Sequence, residues 1–380
     1  MSNSVFPEDI MLCILARLPV KSIIRFTSVC KPWRKLFSTQ EFVRMHHDQF
    51  SSDSKKYSFM VHRISESLTD TMSLFNLESN EKEPTILDHP FSYIRIGIDI
   101  VGCCNGLFCV NPPAFGQLIV FWNPAMNMSK RVWPSKLAGD SETVSLGFGY
   151  DAVGADFKVV RIVYLKNRRD GQYMDVDWVD VYSVNSRSWV TVEVDFQFSV
   201  FQTKSDVIVN GNPHWVATVN ENENGKSGPV EVLICFDVTE LVFKVVSLST
   251  LYHDEEANVE LVNWKGCLGA LVFASENQRV ESLDVWVFDD VEQIWRNTHT
   301  FGPIKKNVYR LLLCWKNGKI LGECPDGKLF VFDPETGCVK DLFYGAQQSQ
   351  TFEIYGYTES LSYVKGMEKE KVRGRKRWRG

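Results

Sequence analysis

The sequence predicts two architectures in one chain: a small all-α head of three to four short helices, and a large all-β body that is β-propeller-like with about six blades. Three observations carry this. Apolar residues recur at helical spacing only in the first fifty residues. From Tyr57 onward, short runs of Val, Ile, Phe, Tyr and Trp are broken every eight to twelve residues by Gly, Asn or Asp. A strand-end signature then returns about every fifty residues. Aromatics make up 13% of the 380 residues, which suits sheet, because flat rings fit a pleated, half-buried surface.

In the head, Pro7, Glu8 and Asp9 open a first helix: proline needs no N–H donor there, and carboxylates suit the positive end of the helix dipole. Ile10, Ile14 and Leu18 follow at i, i+4 and i+8, with Met11 and Leu15 one step on, until Pro19 stops the helix. Ser22 is the expected cap of a second helix carrying Ile23, Phe26, Thr27 and Val29. Pro32 fits only at the start of a third, which presents Trp33, Leu36 and Phe37. Glu41, Phe42 and Val43 begin a last half-turn before a polar 48–56 linker. A bundle of this size is too small to bury so many large side chains. The stripe either packs on the body or is an interface for another protein.

In the body, one signature is an apolar or aromatic pair, a polar turn, and a returning hydrophobic residue. It ends at Asn76, Asn123, Ser183, Asp237, Asp289 and Asp333, in steps of 47, 60, 54, 52 and 44 residues. A second lies upstream: Asn105-Gly106, Asn210-Gly211, Lys265-Gly266 and Asn317-Gly318. Asn-Gly supplies the positive φ values of a type I′ hairpin turn. Two hairpins per repeat make four strands, expected at five to six residues each, and such sheets repeating at this period are propeller blades. The long step has room for a partial extra blade around Gly147, Phe148, Gly149, Tyr150 and Asp151. A sandwich is the rival architecture, but radial repetition leaves less open edge.

Composition narrows the function. No run of 18 apolar residues exists, and the first residues lack the basic and apolar regions of a signal peptide. A cytoplasmic and/or nuclear location is therefore expected, with the ten cysteines as thiols. Cys103, Cys104 and Cys109 cluster without ligand spacing, and Cys235, Cys267, Cys314 and Cys324 fall in apolar runs, where a thiol acts as a small hydrophobe. Residues 1–47 carry +4 and residues 365–380 carry +6, which leaves −15 for the middle of a chain at −5 overall. An acidic body disfavours nucleic acid as its partner and permits steering of basic ones.

No catalytic, cofactor or metal set stands out. His46 and His47 are adjacent and point about 100° apart on a helix, which is wrong for shared ligation. His214 beside Trp215 reads as a strand residue with a satisfied ring nitrogen. Gly147-x-Gly149 lacks the third glycine and following helix of a dinucleotide loop. Asp151, Asp237, Asp289 and Asp333 read as turn caps through their own backbone. Polar segments 166–177, 218–229 and 252–258 read as protruding loops able to read a partner. Arg373, Arg375, Lys376, Arg377 and Arg379 make a basic tail, which reads as disordered, as a nuclear import signal or, less readily, as a nucleic-acid contact.

The run Phe6-Pro7-Glu8-Asp9-Ile10, then Arg17-Leu18-Pro19-Val20-Lys21-Ser22, Arg25-Phe26 and Val29-Cys30-Lys31-Pro32-Trp33-Arg34 resembles the F-box of large plant families. Phe6 stands where leucine is commoner, and Pro32 where serine or threonine is. The phrases Gly102-Cys103-Cys104-Asn105-Gly106-Leu107, Trp122-Asn123-Pro124, Leu146-Gly147-Phe148-Gly149-Tyr150-Asp151, His214-Trp215 and Tyr357-Thr358-Glu359-Ser360-Leu361 resemble the F-box-associated, kelch-like region of those families, S-locus F-box proteins among them.

The resemblance implies an F-box at 1–48, an F-box-associated propeller at 57–365 and a basic disordered tail at 366–380. It implies a non-catalytic, substrate-recognition subunit of an SCF-type E3 ubiquitin ligase. The partners would be a Skp-type adaptor, through it cullin and RING subunits, and an unknown target protein on the propeller, with no membrane and no cofactor. Adaptor binding would fall to Pro7, Ile10, Ile14, Leu18, Pro19, Val20, Ile23, Phe26, Val29, Cys30 and Trp33, some facing the adaptor and others the head's own core. The rivals are a kelch-type scaffold or lectin without ubiquitin chemistry, and a propeller hydrolase.

Overall fold

The computed structural model describes residues 7–52, 58–65, 70–76, 84–87, 89–91, 97–139, 142–165, 176–200, 202–223, 226–252, 257–276, 278–315, 318–342 and 349–370. Phe6, Asn317, most of the expected loops at 166–177 and 252–258, and the basic run from 371 lie outside the described residues. The chain divides into two compact units, residues 1–133 with 349–380, and residues 134–348.

Four helices form the head: α1 (Glu8–Leu15), α2 (Val20–Phe26), α3 (Lys31–Leu36) and α4 (Gln40–Ser52). Pro7 caps α1, which ends three residues short of the expected Leu18, because Arg17 and Leu18 turn onto the carbonyls of Ile14 and Leu15. Pro19, not Ser22, precedes α2: its carbonyl accepts the first bonds, from Ser22 N at 2.9 Å and Ile23 N at 3.2 Å, so Ser22 already lies in the first turn. Pro32 stands in the first turn of α3, as its missing donor requires. The expected last half-turn is instead a 13-residue helix. Thr39 Oγ1 accepts Phe42 N at its start, and Phe42, His46 and Phe50 recur at i, i+4 and i+8 on its buried side.

In chain order the strands of the first three sheets begin with β1 (Ser58–Ser65), β2 (Asp70–Phe75) and β3 (Thr85–Leu87). Then come β4 (Asp99–Cys104), β5 (Leu107–Asn111), β6 (Ile119–Asn123), β7 (Met128–Val132), β8 (Glu142–Asp151), β9 (Asp156–Leu165), β10 (Val176–Ser183) and β11 (Ser188–Val192). The fourth holds β12 (Phe198–Val200), β13 (Val207–Val209), β14 (Asn212–Glu223), β15 (Lys226–Asp237) and β16 (Val242–Ser247). The fifth holds β17 (Ala257–Trp264), β18 (Cys267–Glu276), β19 (Arg279–Asp289), β20 (Ile294–Phe301) and β21 (Ile304–Asn307). The sixth holds β22 (Arg310–Cys314), β23 (Ile320–Glu323), β24 (Leu329–Asp333) and β25 (Cys338–Leu342). The chain closes with β26 (Ser349–Tyr357) and β27 (Glu368–Lys369).

These strands build six antiparallel sheets, the blades of a six-bladed β-propeller. The first unit holds two, ordered β26-β1-β2-β3 and β27-β7-β6-β5-β4; the second holds the other four. Asn76 follows β2, and Asn123, Ser183, Asp237, Asp289 and Asp333 end β6, β10, β15, β19 and β24, so every marker stands at the close of its blade's third strand. The turn after it is built alike: Arg187, Leu241 and Gln293 have φ of 58°, 58° and 57°, and each donates its N–H at 2.8 Å to the carbonyl four residues back. Asn105-Gly106, Asn210-Gly211 and Lys265-Gly266 all have positive φ at both positions, which is the type I′ geometry.

Strand lengths depart from expectation. β14 and β15 run to 12 residues each, and in the long step between Asn123 and Ser183 β8 and β9 run to 10 each, with no extra sheet among the described residues. The expected loop at 218–229 is a hairpin continuing β14 and β15, paired from Thr218↔Glu231 out to Glu223↔Lys226. Residues 368–370, expected in the tail, are held on the first unit: Glu368 and Lys369 pair with β7, Glu370 N donates to Asn127 O at 3.1 Å, and the Glu370 carboxylate accepts from Ser129 and faces Arg131 at 3.6 Å.

Each unit has its own core. Met60, Met72, Ile100, Phe108, Val120, Trp122 and Tyr357 pack together in the first; Val160, Ile162, Trp215, Ile234 and Phe236 belong to a cluster of the second. Complete burial of such side chains contributes about 1.5–3 kcal/mol each. Gly147 and Gly149 serve this packing. A Cβ on Gly147 would lie 2.4 Å from the Trp215 ring, and one on Gly149 2.3 Å from Gly211 O, which accepts Tyr150 N at 2.9 Å.

In the first blade, His62 on β1 is buried with Nε2 2.9 Å from Asp70 Oδ1 and Nδ1 3.5 Å from Glu353 Oε2 on β26. Burial alone would lower its pKa, but hydrogen bonds to Asp70 and Glu353 outweigh it, and the net direction is up from 6.5. A histidine raised in this way contributes stability that is complete below the unfolded value and is lost as pH rises through the folded one. His62→Gln should therefore flatten the fall in Tm above pH 6.5, measured calorimetrically up to about pH 9. Gly147→Val should cost about 1–3 kcal/mol by overpacking against Trp215, and a second change, Trp215→Leu, should recover part of it in denaturant titrations.

Candidate docking face of the helical head

Two apolar faces share the head. The inward face gathers Leu15, Ala16, Val20, Ile23, Phe37 and Phe42 into one buried cluster, with Met11, Leu12, Leu18, Ile24, Phe26, Trp33 and Leu36 packed partly buried around it. A run of rings stitches the helices together. Phe26 meets Trp33 at 5.6 Å, Trp33 meets Phe37 at 6.1 Å, Phe37 meets Phe42 at 5.1 Å, and His46 stacks on Phe50 at 4.4 Å. His46 Nε2 also lies 2.9 Å from Leu18 O, tying α4 to the turn after α1. Leu361, Ala125 and Met126, from the propeller part of the same unit, touch this cluster too.

The outward face has no such cover among the described residues. Ile10 and Ile14 stand one turn apart on α1, 49% and 54% exposed, and Val29 is 62% exposed. Pro7, Pro19 and Cys30 are exposed as well. Exposed single hydrophobes are ordinary, but two isoleucines in register on a helix whose other side already fills a core form an apolar strip. Arg17, Lys21, Arg25, Lys31, Arg34 and Lys35 are also exposed on the head, against Asp9 and Glu41. Exposed basic side chains thus outnumber exposed acidic ones on the described head.

Comparison with known proteins identifies the two parts. Residues 4–45 match the F-box domain, and residues 37–369 match the F-box associated β-propeller domain. The chain belongs to the F-box-associated β-propeller family. An F-box protein of Arabidopsis thaliana is 26% identical, over 89% of this chain and 87% of its own length. An F-box/kelch-repeat protein of the same plant is 25% identical, over 87% of this chain and 92% of its own length.

The structure sorts the eleven sequence-derived positions of the F-box. Val20 and Ile23 are fully buried in its own core; Leu18, Phe26 and Trp33 are half-buried against that core; Pro7, Ile10, Ile14, Pro19, Val29 and Cys30 are exposed. Sequence reasoning missed the contact residues Met126 and Leu361. Asn123, though quoted in a motif, carried no sign of the partners it holds far along the chain.

In the propeller, the carboxylates Asp151, Asp237 and Asp289 each accept two backbone N–H groups of their own turn at 3.0–3.1 Å, and Asp333 accepts one at 3.1 Å. Burial alone would raise Asp151, but the Gly154 amide, Lys158 and Thr239 hold it down at about 2. His214 Nδ1 lies 3.0 Å from Asn212 O, and burial lowers its pKa to about 4. All ten cysteines are free, and burial pushes the Cys104 thiol up to about 12. Cys267, expected in a core, is exposed: it stands directly after the Lys265-Gly266 turn, where the strand has only begun.

The two faces of the F-box separate by mutation. Trp33→Ala or Phe42→Ala should cost the head about 3–5 kcal/mol through lost ring contacts, whereas Ile14→Ala should change its stability by no more than about 0.5 kcal/mol. Hydrogen exchange of amides in α1–α4 reads both.

Proposed function

We propose that this chain is the substrate-recognition subunit of an SCF-type E3 ubiquitin ligase. Its F-box docks on a Skp-type adaptor, which joins it to cullin and RING subunits, and its propeller holds a target protein for ubiquitination and proteasomal degradation. The observation that carries this reading is the outward strip of Ile10 and Ile14, with Val29 also exposed, on a head whose core is already filled by other residues. Pro7, Pro19 and Cys30 extend the exposed surface, while Leu18, Val20, Ile23, Phe26 and Trp33 hold its shape from beneath.

In this reading the chain performs no bond-making step of its own. It raises the local concentration of target lysines beside a charged E2, as any tether does when it spans two sites. Within the second unit, the β14–β15 pairing runs out to Glu223↔Lys226, at the end of the sheet away from Asp237 and its turn. Loops and hairpin tips on a rigid scaffold are where a target is read.

Burying an isoleucine contributes about 1.5–3 kcal/mol, so each lost contact weakens adaptor binding roughly 10- to 100-fold. Ile10→Glu with Ile14→Glu should abolish capture of a Skp-type adaptor in calorimetric titration while leaving the thermal transition of the sheets in place. Undiminished adaptor affinity in that double variant would refute the reading. In cells, proximity labelling should find proteins that accumulate on proteasome inhibition around the native chain and not around the double variant.

A further inference from the structure

The contacts that Leu361, Ala125 and Met126 make with the head converge on one buried side chain. Asn123 ends β6 and is fully buried. Its Oδ1 accepts Met126 N at 3.1 Å and so shapes the turn whose Ala125 and Met126 pack on the head. Its Nδ2 donates to Ser360 O at 3.0 Å and Ser362 O at 2.9 Å, the carbonyls on either side of Leu361. Leu361 itself is buried in the head's cluster, the same one that holds Phe37 and Phe42. One amide thus uses an acceptor and two donors to set the turn and the distant segment side by side.

The segment from Thr358 to Met367 has no helix or strand of its own, yet it is held along its length. Ser362 Oγ donates to Asn105 O at 2.9 Å, and Ser362 N to Ser360 Oγ at 3.1 Å. Gly106, at φ 71°, lies so close that a Cβ there would meet Thr358 O at 2.4 Å. Thr358, Ser360, Leu361, Ser362, Val364 and Met367 are buried. Backbone without secondary structure that is buried this fully needs specific partners for its carbonyls, and Asn123 supplies two of them.

We propose that residues 358–367 are a strap that fixes the F-box on its blade, and that Asn123 is the positioning residue that anchors the strap. Its purpose rests on the ligase reading: a head held at one attitude holds the docked adaptor at one distance from a bound target. The anchoring itself does not depend on that reading. Asparagine is the residue the geometry asks for, since an aspartate would keep the acceptor for Met126 N and set a carboxylate against two carbonyls.

The test is time-resolved fluorescence anisotropy of a dye on the head, attached through Lys35→Cys in a full-length chain whose exposed Cys13, Cys30, Cys267 and Cys338 are changed to Ser. With the native strap the dye should report slow tumbling of the whole chain. Asn123→Asp and Leu361→Ser should each add a fast component from independent head motion, with the sheet transition retained and adaptor affinity, measured on unlabelled chain, within about twofold of native. Leu361→Ser leaves the bonds of Asn123 untouched, so it decides the matter if Asn123→Asp disturbs the blade. A decay indistinguishable from native in Leu361→Ser, or in a folded Asn123→Asp, overturns the strap. Failure of the native chain to bind adaptor would sink the ligase reading and leave the anisotropy result standing.

Discussion

The governing constraint is that four short helices have more apolar surface than they can enclose. Leu15, Val20, Ile23, Phe37 and Phe42 turn inward and make the head a folded object, which leaves no interior for Ile10 and Ile14. The hydrophobic effect acts on both sets alike, in proportion to the area kept from water. What separates them is geometry: on α1, residues at i+4 and i+5 face different ways, so filling one side commits the other to solvent or to a partner. The F-box is therefore stable without being finished.

The propeller answers the same pressure by repetition. Each blade is a sheet with two faces to cover, and within the second unit neighbouring blades share buried clusters that cover them. Close fit between sheets needs places where no side chain intrudes, and Gly147 and Gly149 are such places against Trp215 and Gly211. Two of the polar groups drawn into this packing are paired closely: Trp215 Nε1 donates to Ser145 Oγ at 3.0 Å, and Arg161 binds Asp180 through two nitrogens at 2.8 Å each. Asp180 and Arg161 face one another across β9 and β10, so the charge pair also fixes their register.

Much of this was legible in the residues, and the exceptions have physical causes. The blade markers could be read because they stand at turns with local demands: a side-chain acceptor at the first position, carboxylate or amide at Asn123, Asp237, Asp289 and Asp333 and hydroxyl at Ser183, and a positive φ at Arg187, Leu241 and Gln293. The fourth helix runs well past the expected half-turn because its periodicity joins Phe42 to His46 and Phe50, where an imidazole stacks as an aromatic ring and so continues an apolar stripe that reads as polar. Residues 218–229 looked like a loop because Asn, Glu and Gly dominate them, yet pairing along β14 and β15 is made by backbone and survives polar side chains. The partners of Asn123 lie 237 and 239 residues away, and no local pattern encodes a contact of that span. The split of the F-box positions between core and surface needed helix ends, and those are set by Pro19 and by the tightened turn after Leu15.

The pairing of β26 with β1 bears on how the protein is made. The first sheet to leave the ribosome lacks the second neighbour of β1 until β26, ending at Tyr357, has been synthesised. Until then a bare row of backbone donors and acceptors faces solvent, open to the wrong strand. Birth of this receptor is thus a race between translation and self-association, and a premature stop anywhere ahead of that strand would yield not a shortened receptor but a chain with its first sheet left open.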